Sequence, residues 1–515
     1  MSQGAALSKP ALEVAAPGWL TASIMLATVM QVLDTTIANV ALPHMAASLG
    51  ATQEEITWVL TSYIVASAVA TPLTGWAADR FGRRMVFIGA IVSFVLTSVA
   101  CGLATGLEEM VAFRILQGVA GAVLIPLSQT VLLDINPREK MGQAMAIYGA
   151  GIMIGPIIGP TLGGWLTESF NWRYVFFINL PLGVIALLGV MAFLPKAATK
   201  KRVFDMFGFA MLALGVGSRQ MLLDRGQAVD WFSSLEIWTY FGLSISGFWI
   251  FVIHSLTARD PFIDPRMFRD WNFVMGLVFI FIIGLTLFSG LALLPPLLQK
   301  LMGYPVIETG LVMAPRGVGM MMAMMVVGRM MSRHDPRVLV GVGLLLTAGS
   351  LWMMAGFDIV MDSTPIVVSG LIQGFGLGFV FVPLSTLTFA TVAPQFRADA
   401  TSMFSLVRNI GSGVGISIVT TVLTRMTSVN HEELASALTA TAPQLRLQMP
   451  QVQSGMPIFT EILDKLVMQQ AAMIGYIDNF VLMLVFTLAV FPILPLLRRP
   501  PKHGAAEAGH AAISE

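Results

Sequence analysis

Between Trp19 and Leu497 the chain repeats one theme, an apolar run of about 18 to 25 residues followed by a polar connection. A run of that length crosses roughly 30 Å of hydrocarbon when helical. Within hydrocarbon each backbone N–H and C=O needs an internal partner, so such runs fold as helices packed side by side. Fourteen are present: 19–42 (α1), 56–76 (α2), 86–105 (α3), 110–133 (α4), 143–166 (α5), 174–194 (α6), 206–223 (α7), 236–254 (α8), 272–298 (α9), 307–330 (α10), 338–357 (α11), 364–392 (α12), 402–424 (α13) and 472–497 (α14). Composition agrees, with 56% hydrophobic and 11% charged residues against about 25% charged in soluble domains. The expected class is an all-α polytopic membrane protein. The first run is longer than a signal peptide's apolar core and no small-residue cleavage site follows it, so α1 is expected to stay in place.

Charge is unevenly shared between the connections. The N-terminus, the connections after the even-numbered helices and the tail carry twenty Lys and Arg, and the other side carries six. We call the first side the basic face. The excess predicts that it is cytoplasmic, with both termini on it. Net charge is +1, which gives no reason to expect a nucleic acid partner. The sole cysteine, Cys101, falls inside α3; it excludes an internal disulfide and is read as packing.

An internal repeat divides the chain. "ILQGVAGAVLIPLSQT" (115–130) matches "LIQGFGLGFVFVPLSTL" (371–387), pairing Gln117-Gly118 with Gln373-Gly374 at an offset of 256 to 257. Within a few residues, that offset also relates "GWAADRFGRR" (75–84) to "GRMMSRHDPR" (328–337). The expected plan is a cytoplasmic N-terminus (1–18), a six-helix bundle (19–194), a basic linker (195–205), two inserted helices (206–254), a second six-helix bundle (272–497) and a disordered cytoplasmic tail (498–515). Residues 425–470 form a long outer loop in that plan, with Asn430 capping a short helix and Glu433 completing a capping box. It reads as a solvated connector, a lid or a docking surface.

Chemistry is read partly from what is missing. There is no phosphate-binding loop and no His-Glu-x-x-His pair, and the six histidines are scattered without metal-ligand spacing. The chain is therefore expected to be no enzyme, to need no cofactor, and to draw on a proton gradient. Asp34 is the leading proton carrier. Gln31, Asp34, Thr35 and Asn39 recur at helical spacing and make one polar stripe on α1, facing a bundle interior or wet cavity. A carboxylate there costs roughly 2.5 to 3.5 kcal/mol on insertion scales, so it either exchanges protons or pairs permanently with a buried arginine. Arg114 on α4, one turn before Gln117, is the preferred partner. Arg219, Arg316 and Arg408 also lie within spans, and Arg316, with Gln373, is placed at the substrate cavity. In α5, Gly151, Gly155, Gly159 and Gly163 recur every four residues around Pro156 and Pro160, a pattern that allows close helix approach and bending. Gly75, Asp79, Arg80, Gly82, Arg83 and Arg84 form a charged turn suited to clasping helix ends.

This ordered set of motifs resembles the major facilitator superfamily, specifically its fourteen-helix drug:proton antiporters of the EmrB/QacA type. "LDTTIANVALP" resembles that family's first-helix motif, "GWAADRFGRR" the loop between the second and third helices, "RILQGVAGA" the fourth-helix motif and "GPIIGPTLGG" the antiporter motif of the fifth. "NWRYVFFINLPLG" (171–183) is similar to a segment typical of this branch. The resemblance implies two pseudo-symmetric bundles around a cavity and proton-driven export of lipophilic compounds. By that match Asp34 and Arg114 would couple protons, Asp79, Arg80 and Arg84 would form a cytoplasmic gate, and the α5 glycines a hinge between the halves. Ser332 stands where the first half has Asp79, against a symmetric gate. The resemblance also implies a bacterial inner membrane, with an EmrA-like periplasmic adaptor and an outer-membrane channel as partners. A metabolite transporter of the same fold, or a membrane sensor or enzyme, are the competing readings.

Overall fold

The computed structural model describes residues 12, 14–52, 55–137, 140–196, 199, 202–331, 333–437 and 457–498. All fourteen expected helices are present. They are α1 (Pro17–Leu49), α2 (Trp58–Ala70 and Leu73–Phe81), α3 (Arg83–Leu103), α4 (Leu107–Gly121 and Leu124–Ile135), α5 (Met141–Ile152 and Ile154–Ser169), α6 (Tyr174–Phe177 and Asn179–Phe193), α7 (Met206–Gly226), α8 (Leu235–Thr257), α9 (Trp271–Pro296), α10 (Val306–Met330), α11 (Pro336–Met354), α12 (Thr364–Ala390), α13 (Arg397–Ala437) and α14 (Pro457–Ala489). The two pieces of α2 meet at 57°. The bend falls at Pro72, which has no N–H to bond one turn back. Pro156 and Pro126 sit just after the breaks in α5 and α4 for the same reason.

Glycines set how closely the helices approach. Gly118 of α4 abuts the Tyr63 carbonyl of α2, and Gly374 of α12 abuts the Arg316 carbonyl of α10. The repeat seen in the sequence is therefore a repeat of packing. The inserted α7 leans on one helix from each half, with Gly217 against Val69 of α2 and Gln220 against Gly413 of α13. Partner α8 packs through Gly247 on Gly215, where Ser244 Oγ donates to the Gly215 carbonyl at 3.1 Å.

The outer loop differs from the expectation. The helix α13 runs unbroken to Ala437 and α14 begins at Pro457, so Asn430 lies inside a helix and caps nothing. From Ile416 to Ala437 there is no Gly or Pro to end the helix, and continuing it satisfies each backbone group without a cap. The two extensions touch: Asn430 Nδ2 reaches the Ala471 carbonyl at 3.5 Å, and His431 Nε2 lies 2.8 Å from Asp464 Oδ1. Residues 438–456 and the tail from 499 lie outside the described residues, as does Ser332.

Candidate functional site

The acid on α1 is fully enclosed. Asp34 is 1% exposed, and three side chains converge on it. Arg114 Nη1 donates to Oδ2 at 2.7 Å, while Gln117 Nε2 and Asn179 Nδ2 donate to Oδ1 at 3.0 and 2.7 Å. Arg114 Nη1 also reaches Gln117 Oε1 at 2.8 Å and its Nε reaches the Val59 carbonyl at 3.0 Å. The guanidinium lies 4.3 Å from the Tyr63 ring centroid, within cation–π range. Asn179 is bonded in turn to Ser98 Oγ at 2.9 Å. Cys101, expected to be packing, sits at the edge of the network with Sγ 3.6 Å from Gln117 Oε1. The cluster thus draws on α1, α2, α3, α4 and α6.

The network has a chemical consequence. A carboxylate is acceptor-only, and a proton arriving on either oxygen turns that oxygen toward donation. Protonation therefore removes the charge that holds the Arg114 guanidinium and weakens the bonds from Arg114, Gln117 and Asn179. Charge on Asp34 and the relative positions of α1, α4 and α6 are linked by geometry.

Asn179, Ser98 and Tyr63 were not identified from the sequence. Asn179 had a signal, an amide in the apolar segment "FFINLPLG". Its placement follows from the preceding "NWR": Arg173 Nη1 donates to the Gly102 and Ala104 carbonyls at 2.8 and 2.6 Å, capping the end of α3 and seating α6 beside it.

The charged turn after α2 is a clasp in which Asp79 and Arg83 of the expected set take part and Arg80 and Arg84 do not. Arg80 is exposed, and Arg84 bonds the Met191 carbonyl at 2.6 Å at the end of α6. Neither joins the halves. Arg83 instead pairs with Asp134 of α4, which also receives Arg397 Nη1 of α13 at 2.8 Å. Asp79 and Asp399 of α13 share Arg202 from the linker, at 3.3 and 2.9 Å. A side chain at Gly75 would collide with the Asp399 carboxylate, so glycine permits this contact. Gly82, at φ 84°, turns the chain from α2 into α3. Thr130 and Thr401 hydroxyls lie 2.6 Å apart just above the clasp. The halves are thus tied together at the basic face. The linker is held by a second network: Arg202 Nη2 donates to the Phe262 carbonyl at 2.6 Å, and the Phe262 amide donates to Asp205, which lies 3.0 Å from His254 Nε2.

The α5 glycines do not lie between the halves. Gly151 faces Met25, Gly155 faces Val32, Gly159 faces Thr36 and Gly163 faces Ile37, all on α1. A four-residue repeat stays on one helix face, and that face belongs to the first bundle. Pro156 and Pro160 lie in the same second segment. The seam with the second bundle is another face of α5, set antiparallel on α10: Gly142 meets Met331, Ala146 meets Gly328, Gly149 meets Met324, Ile157 meets Gly317 and Thr161 meets Gly310.

Of the remaining stripe, Gln31 is buried, Thr35 is half-buried with its hydroxyl on the Val32 carbonyl at 2.8 Å, and Asn39 is exposed. None bonds Asp34. Arg316 and Gln373 are buried in the second bundle, each with a polar atom lacking a partner. Arg219 Nη1 bonds the Ile410 carbonyl of α13 at 3.3 Å.

Comparison with known proteins agrees with this architecture. The Major Facilitator Superfamily profile matches residues 24–416. The chain is 36% identical over 437 residues to the multidrug export protein EmrB of Escherichia coli (strain K12), covering 84% of this chain and 85% of that protein. It is 34% identical over 508 residues to the fatty acid resistance protein FarB of Neisseria gonorrhoeae, covering 97% and 99%. Among solved structures, the human organic anion transporter MFSD10 superposes with a TM-score of 0.57 at 15% identity, covering 92% of this chain and 99% of that one. The proton:xylose symporter XylE gives 0.56, also at 15%, covering 92% and 95%. Both share the fold. The chain belongs to the major facilitator superfamily, as a multi-pass membrane transporter of the EmrB type.

Proposed function

We propose that the protein exports lipophilic toxic compounds across a bacterial inner membrane, driven by inward proton flow, with both termini and the basic face cytoplasmic. The observation that carries this reading is the enclosed carboxylate of Asp34, whose protonation weakens its bonds to two other helices of its bundle. The clasp among Asp79, Arg202, Asp399, Asp134 and Arg397 supports alternating access, because it joins the halves at the basic face through ion pairs. The names of the EmrB and FarB relatives support drugs and fatty acids as cargo. An EmrA-like periplasmic adaptor and an outer-membrane channel complete the proposed assembly, and the paired extensions of α13 and α14 give it an outer surface to meet.

Proteoliposomes holding the full chain, an imposed pH gradient and a panel of lipophilic drugs test the reading. The parent is expected to move at least one drug against its gradient with proton counterflow. Asp34→Asn should retain drug binding and lose the proton-driven component. Undiminished proton-driven efflux by Asp34→Asn would remove Asp34 from the coupling site.

A further inference from the structure

The two bundles treat one interior position in opposite ways. By the repeat offset of 256, Asp34 corresponds to Gly290 on α9, and Arg114 to Gly370 on α12. The packing of Gly118 on Tyr63 and of Gly374 on Arg316 places Arg316 of α10 where the first bundle has Tyr63 of α2. From there the guanidinium fills room left by the glycines. A Cβ added to Gly290 would lie 3.1 Å from both Nη1 and Nη2, and one on Gly370 would lie 3.6 Å from the Arg316 Cβ. The second bundle therefore holds a cation at the place where the first holds an anion.

That cation lacks a fixed counter-charge. Arg316 is 6% exposed. Its Nη2 donates to the Leu287 carbonyl at 3.2 Å, and its Nη1 is buried without a partner. Among the described residues no carboxylate oxygen stands within 4.0 Å of it. An unpaired charge inside a helical bundle is costly, and in membrane proteins such residues mark sites of ions or cargo. A guanidinium with a free, fixed N–H matches a carboxylate or another small anion.

We propose that Arg316 is an anion site, taking on Nη1 an oxygen of a carboxylate carried by a transported lipophilic acid, beside Gly290 and the Leu287 carbonyl. The proposal rests on the export reading and deepens it: protons are exchanged in the first bundle and cargo charge is held in the second. Gly290 gives the discriminating variant. Gly290→Asp supplies an internal carboxylate at the position equivalent to Asp34 and occupies the guanidinium without removing it.

The test uses the full chain in lipid nanodiscs, with 1-naphthaleneacetate and its neutral amide 1-naphthaleneacetamide as matched probes, in chloride and in gluconate buffers. The parent is expected to bind the carboxylate about ten-fold more tightly than the amide. In Gly290→Asp and Arg316→Gln this preference should fall to about two-fold or less, with amide affinity unchanged, and Arg316→Lys should keep part of it. If chloride weakens carboxylate binding to the parent and not to Gly290→Asp, an inorganic anion shares the site; indifference to chloride assigns it to cargo alone. No preference in the parent, or an equal loss of both probes in Gly290→Asp and Arg316→Gln, would overturn the proposal in favour of a structural role. Proton-driven efflux of a cationic dye, measured in the same preparations reconstituted into vesicles, tests the export reading separately from charge selection.

Discussion

At the scale of single residues, Asp34 shows how a transporter keeps a carboxylate in an apolar bundle. Burial is offset by one cation and two amides, and no oxygen is left without a donor. Asn179 is the member whose role separates coupling from stability. Asn179→Ala removes a buried hydrogen bond to a charged group and should cost about 1.5 to 3 kcal/mol in thermal or denaturant unfolding. If Asn179 also governs proton exchange, the pH profile of transport will move with the substitution. A lower melting temperature with an unmoved profile would make it structural. The pairing of Asp34 with Arg114 was legible in the sequence, because an acid and a cation in apolar helices have few alternatives. Asn179 and Ser98 were not, because amides and hydroxyls in apolar helices usually satisfy themselves on the backbone of the preceding turn.

At the scale of elements, the basic-face clasp depends on the linker ahead of the inserted pair. Arg202 bridges Asp79 and Asp399 and is braced by Phe262, so α7 and α8 are fastened to the gate as well as to the bundles. Arg202→Gln removes a partly exposed ion pair to Asp79 and a pair to the buried Asp399, worth at least about 1 kcal/mol together. The expected result is a rise of at least about five-fold in the open population, read as faster maleimide labelling of Thr130→Cys from the basic side. An unchanged labelling rate would show that the Asp134 pairs hold the face alone. Asp205, just ahead of α7, carries a pH dependence of known sign. Burial acts to raise its titration, but the Gly208 amide, the His254 ring and the Phe262 amide outweigh it and hold the carboxyl below the usual range. A group titrating lower in the folded state stabilises the fold above its unfolded value and loses that contribution as pH falls through its folded value. The parent should therefore melt above Asp205→Asn at pH 7, with the gap closing as pH falls below about 4. The sequence marked the turn at 75–84 as charged and glycine-rich, but its partners Asp134, Arg202 and Asp399 come from three distant segments. Charge at a helix end looks the same whether it is solvated, as at Arg80, or paired across the molecule.

At the scale of the whole molecule, the halves meet along α5 and α10 from Gly142–Met331 to Thr161–Gly310, and at the clasp. A continuous seam suits a pivot, and the clasp suits a gate. Paired cysteines distinguish them, since facing Cβ atoms about 3.5 to 4.5 Å apart accept a disulfide. Oxidation of Thr130→Cys with Thr401→Cys should lock the basic face and stop transport until reductant is added. Oxidation of Thr161→Cys with Gly310→Cys should leave most transport intact. Equal arrest by both pairs would rule out α5 and α10 as the pivot.

The sequence by itself determined the class, the fourteen spans, the duplication and the identity of the buried acid and its cation. Each follows from a local or periodic property, the cost of placing backbone and charge in hydrocarbon. Only the tertiary structure decided which faces meet. It turned the α5 glycines toward α1 instead of the other half, brought Asn179 to Asp34, and drew Arg202 between Asp79 and Asp399. It also set the Arg316 guanidinium against Gly290. In an apolar solvent a helix that is apolar all round gives no hydrophobic signal of which side is inward. The choice is made by close packing at glycines and by hydrogen bonds between residues far apart in the chain.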